Sequence, residues 1–194
     1  MPTSPSDLQL SRTQVLVAVA ITAVLLLLGA KLWIGLGRVV QLPLVWDPDL
    51  ALTGVGLGLG LTLLSHLLYR IWSPYRTSAD HYLELVIRPL ITPDLVWIAL
   101  LPALSEELLF RGVMLPYFGL DPAGVLITAA IFGALHWGGL GQWPYALVAS
   151  GIGICFGGVA VLTQNLLVPL VAHAVINLLS ALIWRRSTPV VPRS

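Results

Sequence analysis

Charged residues are scarce in this sequence: only 10% of its 194 residues are Asp, Glu, Lys or Arg, against about 25% in a typical soluble domain. The formal net charge of +1 provides no clustered basic surface, which excludes nucleic acid as a partner. Cysteine is represented by Cys155 alone, so an internal disulfide is excluded. No basic group adjoins this thiol in the sequence, which predicts a small buried residue rather than a nucleophile.

Apolar residues are correspondingly abundant, at 57% of the chain, and the mean hydropathy is +0.91. Because a membrane-spanning helix needs about 20 mostly apolar residues, the sequence predicts an all-α, polytopic transmembrane helical bundle of about six spans. The protein is then expected to lie in a lipid bilayer, in the plasma or inner membrane. The first apolar run is too long for a signal-peptide core, which has about 7–15 residues. The six predicted spans are residues 14–36, 50–72, 93–115, 121–138, 143–162 and 165–184.

The domain organisation follows from these spans. We interpret residues 13–186 as a single transmembrane helical domain, with a motif-bearing core at about 93–184. Residues 1–12 predict a short disordered tail, and residues 187–194 predict a C-terminal tail. The main polar interruption, residues 73–92, predicts an interfacial helix or an amphipathic loop.

The placement of Lys and Arg predicts that both termini face the cytoplasm. In that orientation only Lys31 and Arg38 lie outside. The arginines placed inside are Arg12, Arg70, Arg76, Arg88, Arg185, Arg186 and Arg193. Straight, full-length helices in this topology would leave His136 and His173 offset by about 10 Å.

Pairs of glycines four residues apart predict close packing between helices in lipid. The alternating glycines of the second span neither follow a strand nor begin a helix, which argues against a phosphate-binding loop. The pairs are Gly54/Gly58, Gly56/Gly60 and Gly153/Gly157.

Three ionisable residues lie within six positions of the third predicted span. Each charge costs on the order of 2.5–3.5 kcal/mol at the centre of a spanning helix, so such residues indicate a functional site. Glu107 and Arg111 are four residues apart on one helix face and are expected to form an ion pair, which we interpret as structural. Glu106 is rotated by about 100° from Glu107 and is left to face another helix.

Two later spans each carry a histidine. In the fourth, Phe132 precedes His136 by four residues, so its ring is expected to stack on the imidazole. In the sixth, His173 and Asn177 share a face. With Glu106, the two histidines are a possible zinc ligand set, leaving one position for water. The same groups are equally suited to activate water by general-base catalysis without a metal, with Asn177 stabilising an oxyanion. The remaining histidines, His66 and His81, are interpreted as packing groups.

The ordered trio of motifs resembles the CPBP family, the CAAX proteases and bacteriocin-processing proteins. The motifs are Glu106-Glu107-x-x-x-Arg111, Phe132-x-x-x-His136 and His173-x-x-x-Asn177. The resemblance implies an intramembrane endopeptidase acting on a membrane-associated peptide or protein, including lipid-modified, CAAX-type substrates. It implies that Glu106 and His136 activate the water and that His173 and Asn177 support the oxyanion. Glu107, Arg111 and Phe132 are then supporting residues, and zinc is a candidate cofactor held by Glu106, His136 and His173.

Two other functions compete with proteolysis. A non-catalytic binding or bacteriocin-immunity protein would retain the charged core for folding or partner capture. A small proton or solute transporter would use Glu106 and the histidines as a relay, although the chain shows no internal repeat of the kind that transporters carry. Replacement of Glu106 by glutamine separates a catalytic carboxylate from a structural one.

Overall fold

The computed structural model describes residues 10–187, which are helical apart from short connections and contain no strand. The predicted tails at residues 1–12 and 187–194 lie mostly outside the described residues. Ser11 caps the first helix, because its side chain accepts from the Gln14 amide while Gln14 accepts from the Ser11 amide. The helices are α1 (Arg12–Gly37), α2 (Pro48–Ile71), α3 (Ser73–Ile87), α4 (Asp94–Leu109), α5 (Leu115–Phe118), α6 (Pro122–Leu135), α7 (Trp143–Thr163) and α8 (Leu167–Ser187).

Four of these helical segments are long and apolar enough to cross a membrane. They are α1, α2, α7 with the 3-10 turn that precedes it (Leu140–Thr163), and α8. The third predicted span is a composite, because a π-helical turn at Phe110–Met114 joins α4 directly to α5. The fold is therefore the all-α membrane bundle that the sequence predicts.

Helix α6 is the shortest of the predicted spans. It begins at Pro122 behind the Asp121 cap, as the sequence predicts, but it ends at Leu135 instead of at residue 138. Its 14 residues measure about 21 Å at 1.5 Å per residue, about 9 Å less than a hydrocarbon core of about 30 Å. Both His136 and His173 nevertheless line one cavity, so the offset of about 10 Å expected for full-length helices does not keep them apart.

The glycine pairs of α2 differ in their surroundings. A Cβ atom built on Gly54 would lie 2.8 Å from Val171 Cβ, and one on Gly58 would lie 2.7 Å from Val175 Cβ. Both glycines therefore allow α2 to approach α8 closely. Gly56 and Gly60 have no such neighbour within 4 Å. The packing prediction is confirmed for Gly54/Gly58 and is wrong for Gly56/Gly60 in the described structure, because that face of α2 points away from α8.

Helix α7 packs against α6 through its own glycine pair. A Cβ on Gly153 would lie 3.2 Å from Ala129, and one on Gly157 would lie 3.0 Å from Val125, which confirms the prediction. Cys155 lies between them in sequence but is exposed. The prediction that it is buried is therefore wrong, because this face of α7 points outward from the bundle.

The polar interruption forms helix α3, in agreement with the helical alternative predicted for residues 73–92. Its side chains bond to several neighbours. Asp80 accepts hydrogen bonds from Tyr69 of α2 (2.7 Å) and from Trp184 of α8 (3.1 Å). Ser78 donates to the side chain of Gln142, just before α7 (2.6 Å). Helix α3 thus ties together elements that are distant in the sequence.

Candidate active site

A cavity of about 360 Å³ lies among the helices, and its lining contains the four predicted catalytic residues. They reach it from three elements: Glu106 from α4, His136 from the end of α6, and His173 and Asn177 from α8. Helices α2, α3 and α7 supply further walls. The four candidate residues, up to 71 positions apart in the sequence, thus contribute to one partly open cavity.

The ion pair predicted between Glu107 and Arg111 is present. Arg111 Nη1 lies 2.8 Å from Glu107 Oε1, and both side chains are fully buried. The guanidinium also donates to the Gly153 carbonyl at 3.2 Å. Its Cζ lies 4.6 Å from the ring centroid of Phe132 and 5.4 Å from that of Phe156, where aromatic faces attract a cation.

Glu107 has a second partner that the sequence did not predict. His173 Nδ1 lies 2.8 Å from the same Oε1 atom that accepts from Arg111. A carboxylate accepts here, so the hydrogen of His173 is on Nδ1. The ion pair, interpreted from the sequence as structural, therefore also fixes the orientation of His173, as carboxylates do for functional histidines.

Glu106 is near the other nitrogen of the His173 imidazole. Its Oε2 atom lies 3.9 Å from His173 Nε2, too far for a direct hydrogen bond. This oxygen is buried and has no hydrogen-bond partner among the described residues. The sequence indicated that Glu106 lacks a partner on its own helix, and the structure agrees.

His136 follows the last residue of α6. Its Nδ1 atom lies 2.8 Å from the Phe132 carbonyl oxygen, which only accepts, so Nδ1 carries the hydrogen and Nε2 is a free acceptor. The rings of Phe132 and His136 lie 4.5 Å apart and are inclined by 46°, so the predicted ring contact is present but is tilted rather than stacked. The Phe132 ring is also 6.1 Å from that of His173, so it lies beside both imidazoles.

Aromatic residues that the sequence analysis did not single out complete the site. Tyr82 of α3 and Tyr145 of α7 line the cavity, and their rings lie 4.4 Å apart. Tyr75 lines it as well, and burial raises the pKa of its hydroxyl above the ordinary value, against the lowering effect of the hydrogen bond with Ser65. His66, interpreted as a packing group, also lines the cavity. No local sequence pattern distinguishes these residues, because their roles depend on contacts between helices.

The side chains suit zinc in chemistry but not in spacing. His136 and His173 both use Nδ1 for a hydrogen bond, which leaves Nε2 in the state that binds a metal. The described residues nevertheless contain no group of three His, Cys, Asp or Glu side chains close enough to hold a metal ion. Zinc ligation by Glu106, His136 and His173 stays a prediction that the structure does not test.

Comparisons with known proteins add independent information. Residues 88–179 match the family described as type II CAAX prenyl endopeptidase Rce1-like. The chain is 29% identical over 136 residues to the uncharacterized protein YpbD of Bacillus subtilis (strain 168), an alignment that covers 69% of each chain. No solved structure shows a significant match. The Rce1-like match contains all three motifs, so residues 88–179 resemble this family of CAAX prenyl endopeptidases, in agreement with the resemblance that the motifs indicate.

Proposed function

We propose that this protein is an intramembrane endopeptidase that hydrolyses a peptide bond of a membrane-associated, CAAX-type substrate. The observation that carries the proposal is the convergence of the four predicted catalytic side chains on one cavity. In a membrane, buried ionisable groups are costly and are retained where they act. The family match supports this class of reaction.

Glu106 is the general base of the proposed reaction. Its unpartnered Oε2 atom accepts a proton from a water molecule, and the water oxygen attacks the carbonyl carbon of the scissile bond. His136 Nε2, which is free to accept, receives the second hydrogen bond of that water and orients it. When the tetrahedral intermediate collapses, the C–N bond breaks and the proton held by Glu106 passes to the leaving nitrogen.

Asn177 is the principal donor to the oxyanion. It lies four residues after His173 on α8 and lines the same cavity. His173 has committed its Nδ1 hydrogen to Glu107, so it donates to the oxyanion only when Nε2 carries a second proton. The Asn177 amide needs no such protonation, and a fixed donor of this kind stabilises the transition state more than the ground state.

The cavity walls suit a substrate with a lipid or apolar side chain. Val19, Ile98 and Ile176 present apolar surface to the cavity, alongside the polar groups of the site. Pockets that bind amphiphilic ligands combine such walls with a few oriented polar groups. This composition supports a peptide that carries an attached lipid and reaches the site from the bilayer.

The test compares the wild type with Glu106→Gln in proteoliposomes containing a farnesylated CAAX-type peptide, with release of the C-terminal fragment as the readout. We expect wild-type cleavage and a loss of roughly 100-fold or more in the variant, because a positioned base contributes about 10²–10⁴-fold. Glu84→Gln is the matched control, since Glu84 is an exposed carboxylate of α3. The unmodified peptide tests whether the lipid is required, and a chelator tests the zinc prediction.

A parallel survey of new peptide termini in host membranes identifies natural substrates. Termini that appear with the wild type and disappear with Glu106→Gln support the proposal. Cleavage by Glu106→Gln at the wild-type rate would contradict it. Identical termini in cells with both proteins, together with an unchanged host phenotype, would favour the binding or immunity function.

A further inference from the structure

The first residues of the connection after α6 are bound by one phenol of α3. The Tyr82 hydroxyl donates to the His136 carbonyl oxygen at 2.7 Å and accepts from the Gly138 amide at 2.7 Å. The two bonds lie on either side of Trp137. Tyr82 therefore clamps the backbone of the residue that carries one of the proposed catalytic imidazoles.

The backbone groups after the end of α6 need a clamp because the last carbonyl groups of a helix have no partner within it. The amides of His136 and Trp137 bond back to α6, to Gly133 at 3.0 Å and to Ala134 at 3.1 Å. The His136 carbonyl and the Gly138 amide have no such partner in α6, and Tyr82 satisfies both.

The packing around the phenol leaves it little freedom. The Tyr82 ring lies 4.4 Å from that of Tyr145, whose ring is in turn 6.1 Å from the His136 imidazole. A Cβ atom on Gly138 would lie 2.4 Å from the Tyr82 hydroxyl oxygen, so a side chain at this position would displace the phenol. The hydrogen bond from Ser78 to Gln142 fixes the other end of the same connection to α3.

We propose that Tyr82 is a positioning residue for catalysis, which holds His136 in place through the two backbone hydrogen bonds of its hydroxyl. This inference rests on the proposed function for its effect on rate. Helix α3 thereby controls the geometry of the site from outside the three motifs. Displacement of α3 moves His136 away from the attacking water.

The test replaces Tyr82 by phenylalanine, which removes only the hydroxyl. We expect kcat for the farnesylated peptide to fall about 10- to 100-fold, because a displacement of about 1 Å costs that much, with KM within twofold of the wild type. Tyr117→Phe is the matched control, since this tyrosine is exposed and lies outside the cavity. Gly138→Ala is expected to lower kcat by the same factor as Tyr82→Phe. The double variant Tyr82→Phe/Gly138→Ala is expected to lower it no further.

A second measurement does not depend on proteolysis. In protein labelled with ¹⁵N-histidine, wild-type His136 is expected to show the Nδ1–H form, and Tyr82→Phe is expected to average its two nitrogen shifts. The signals of His66 and His173 serve as internal references. A Tyr82→Phe protein with wild-type kcat, or with unchanged His136 shifts, would overturn the inference. If the wild type cleaves no peptide, the proposed function fails while the nitrogen shifts still decide the role of Tyr82.

Discussion

Arg111 is a fully enclosed charge beside the site. It is fully buried against aromatic rings and is neutralised by Glu107, which in turn holds His173. Removing one partner of a buried ion pair leaves the other charge unpaired, whereas replacing both with neutral groups is often nearly neutral for stability. Substitutions at Glu107 and Arg111 can therefore distinguish the contribution of the pair to protein stability from its role in orienting His173.

Arg111→Met is expected to lower the free energy of unfolding by about 3–5 kcal/mol. The double variant Glu107→Gln/Arg111→Met is expected to recover most of that loss but to remain slow in cleavage, because His173 has lost its charged partner. Thermal unfolding in detergent and the peptide assay measure the two effects. A double variant with wild-type cleavage would show that the pair serves folding alone.

Asn177→Ala is expected to lower kcat by about 10²–10³-fold with little change in KM, as loss of an oxyanion donor does elsewhere. Steady-state kinetics on the farnesylated peptide measures both constants. Gln164→Ala, which removes an exposed amide after α7, is the control. A raised KM at constant kcat would instead assign Asn177 to substrate binding.

Contacts between residues four apart could be predicted from the sequence, and contacts between helices could not. The Glu107–Arg111 pair and the contact between the Phe132 and His136 rings follow from helical spacing and are present. The bond from His173 to Glu107 joins residues 66 positions apart. No periodicity in a single sequence specifies that alignment of α8 with α4.

At the level of the helices, the two glycine pairs of α2 offer a matched comparison. Gly58→Ala is expected to lower stability by about 1–3 kcal/mol, because the new methyl group would collide with Val175 and the Ala172 carbonyl. Gly60→Ala meets open space and is expected to be neutral or to stabilise by up to about 1 kcal/mol. Thermal unfolding in detergent distinguishes them. Equal losses would show that α2 does not pack on α8 through one face.

The sequence could not choose between these pairs, because both have the same spacing and only the position of α8 separates them. It also placed the end of α6 at the glycines around residue 138, although the helix ends at Leu135. The π-helical turn that contains Arg111 was not predicted either. Each of these features depends on packing against a neighbouring helix, and local sequence propensity carries no information about that packing.

The ends of the helices are consistent with the predicted orientation. Arg12 pairs with Asp94 at 2.7 Å, and Arg185 donates to the Leu90 carbonyl at 2.6 Å. The start of α1, the start of α4 and the end of α8 therefore lie together, as a shared membrane end requires, and the side on which this end lies stays a prediction. At the opposite end, Asn165 bonds to the backbone of Val45.

Labelling with a membrane-impermeant maleimide checks this orientation in a Cys155→Ala background. A cysteine replacing exposed Trp46, between α1 and α2, is expected to react in intact cells. One replacing exposed Arg76 on α3 is expected to react only after permeabilisation. The reverse pattern would place both termini outside.

The short α6 also affects the surrounding lipid. A hydrophobic segment shorter than the bilayer is accommodated by local thinning, at a cost of fractions of a kcal/mol per ångström. The protein should therefore create a thin zone beside α6 and prefer membranes with short acyl chains. Cleavage in liposomes should slow as the chains lengthen, so that membrane thickness itself becomes a regulator of the rate at which a lipid-modified substrate is processed.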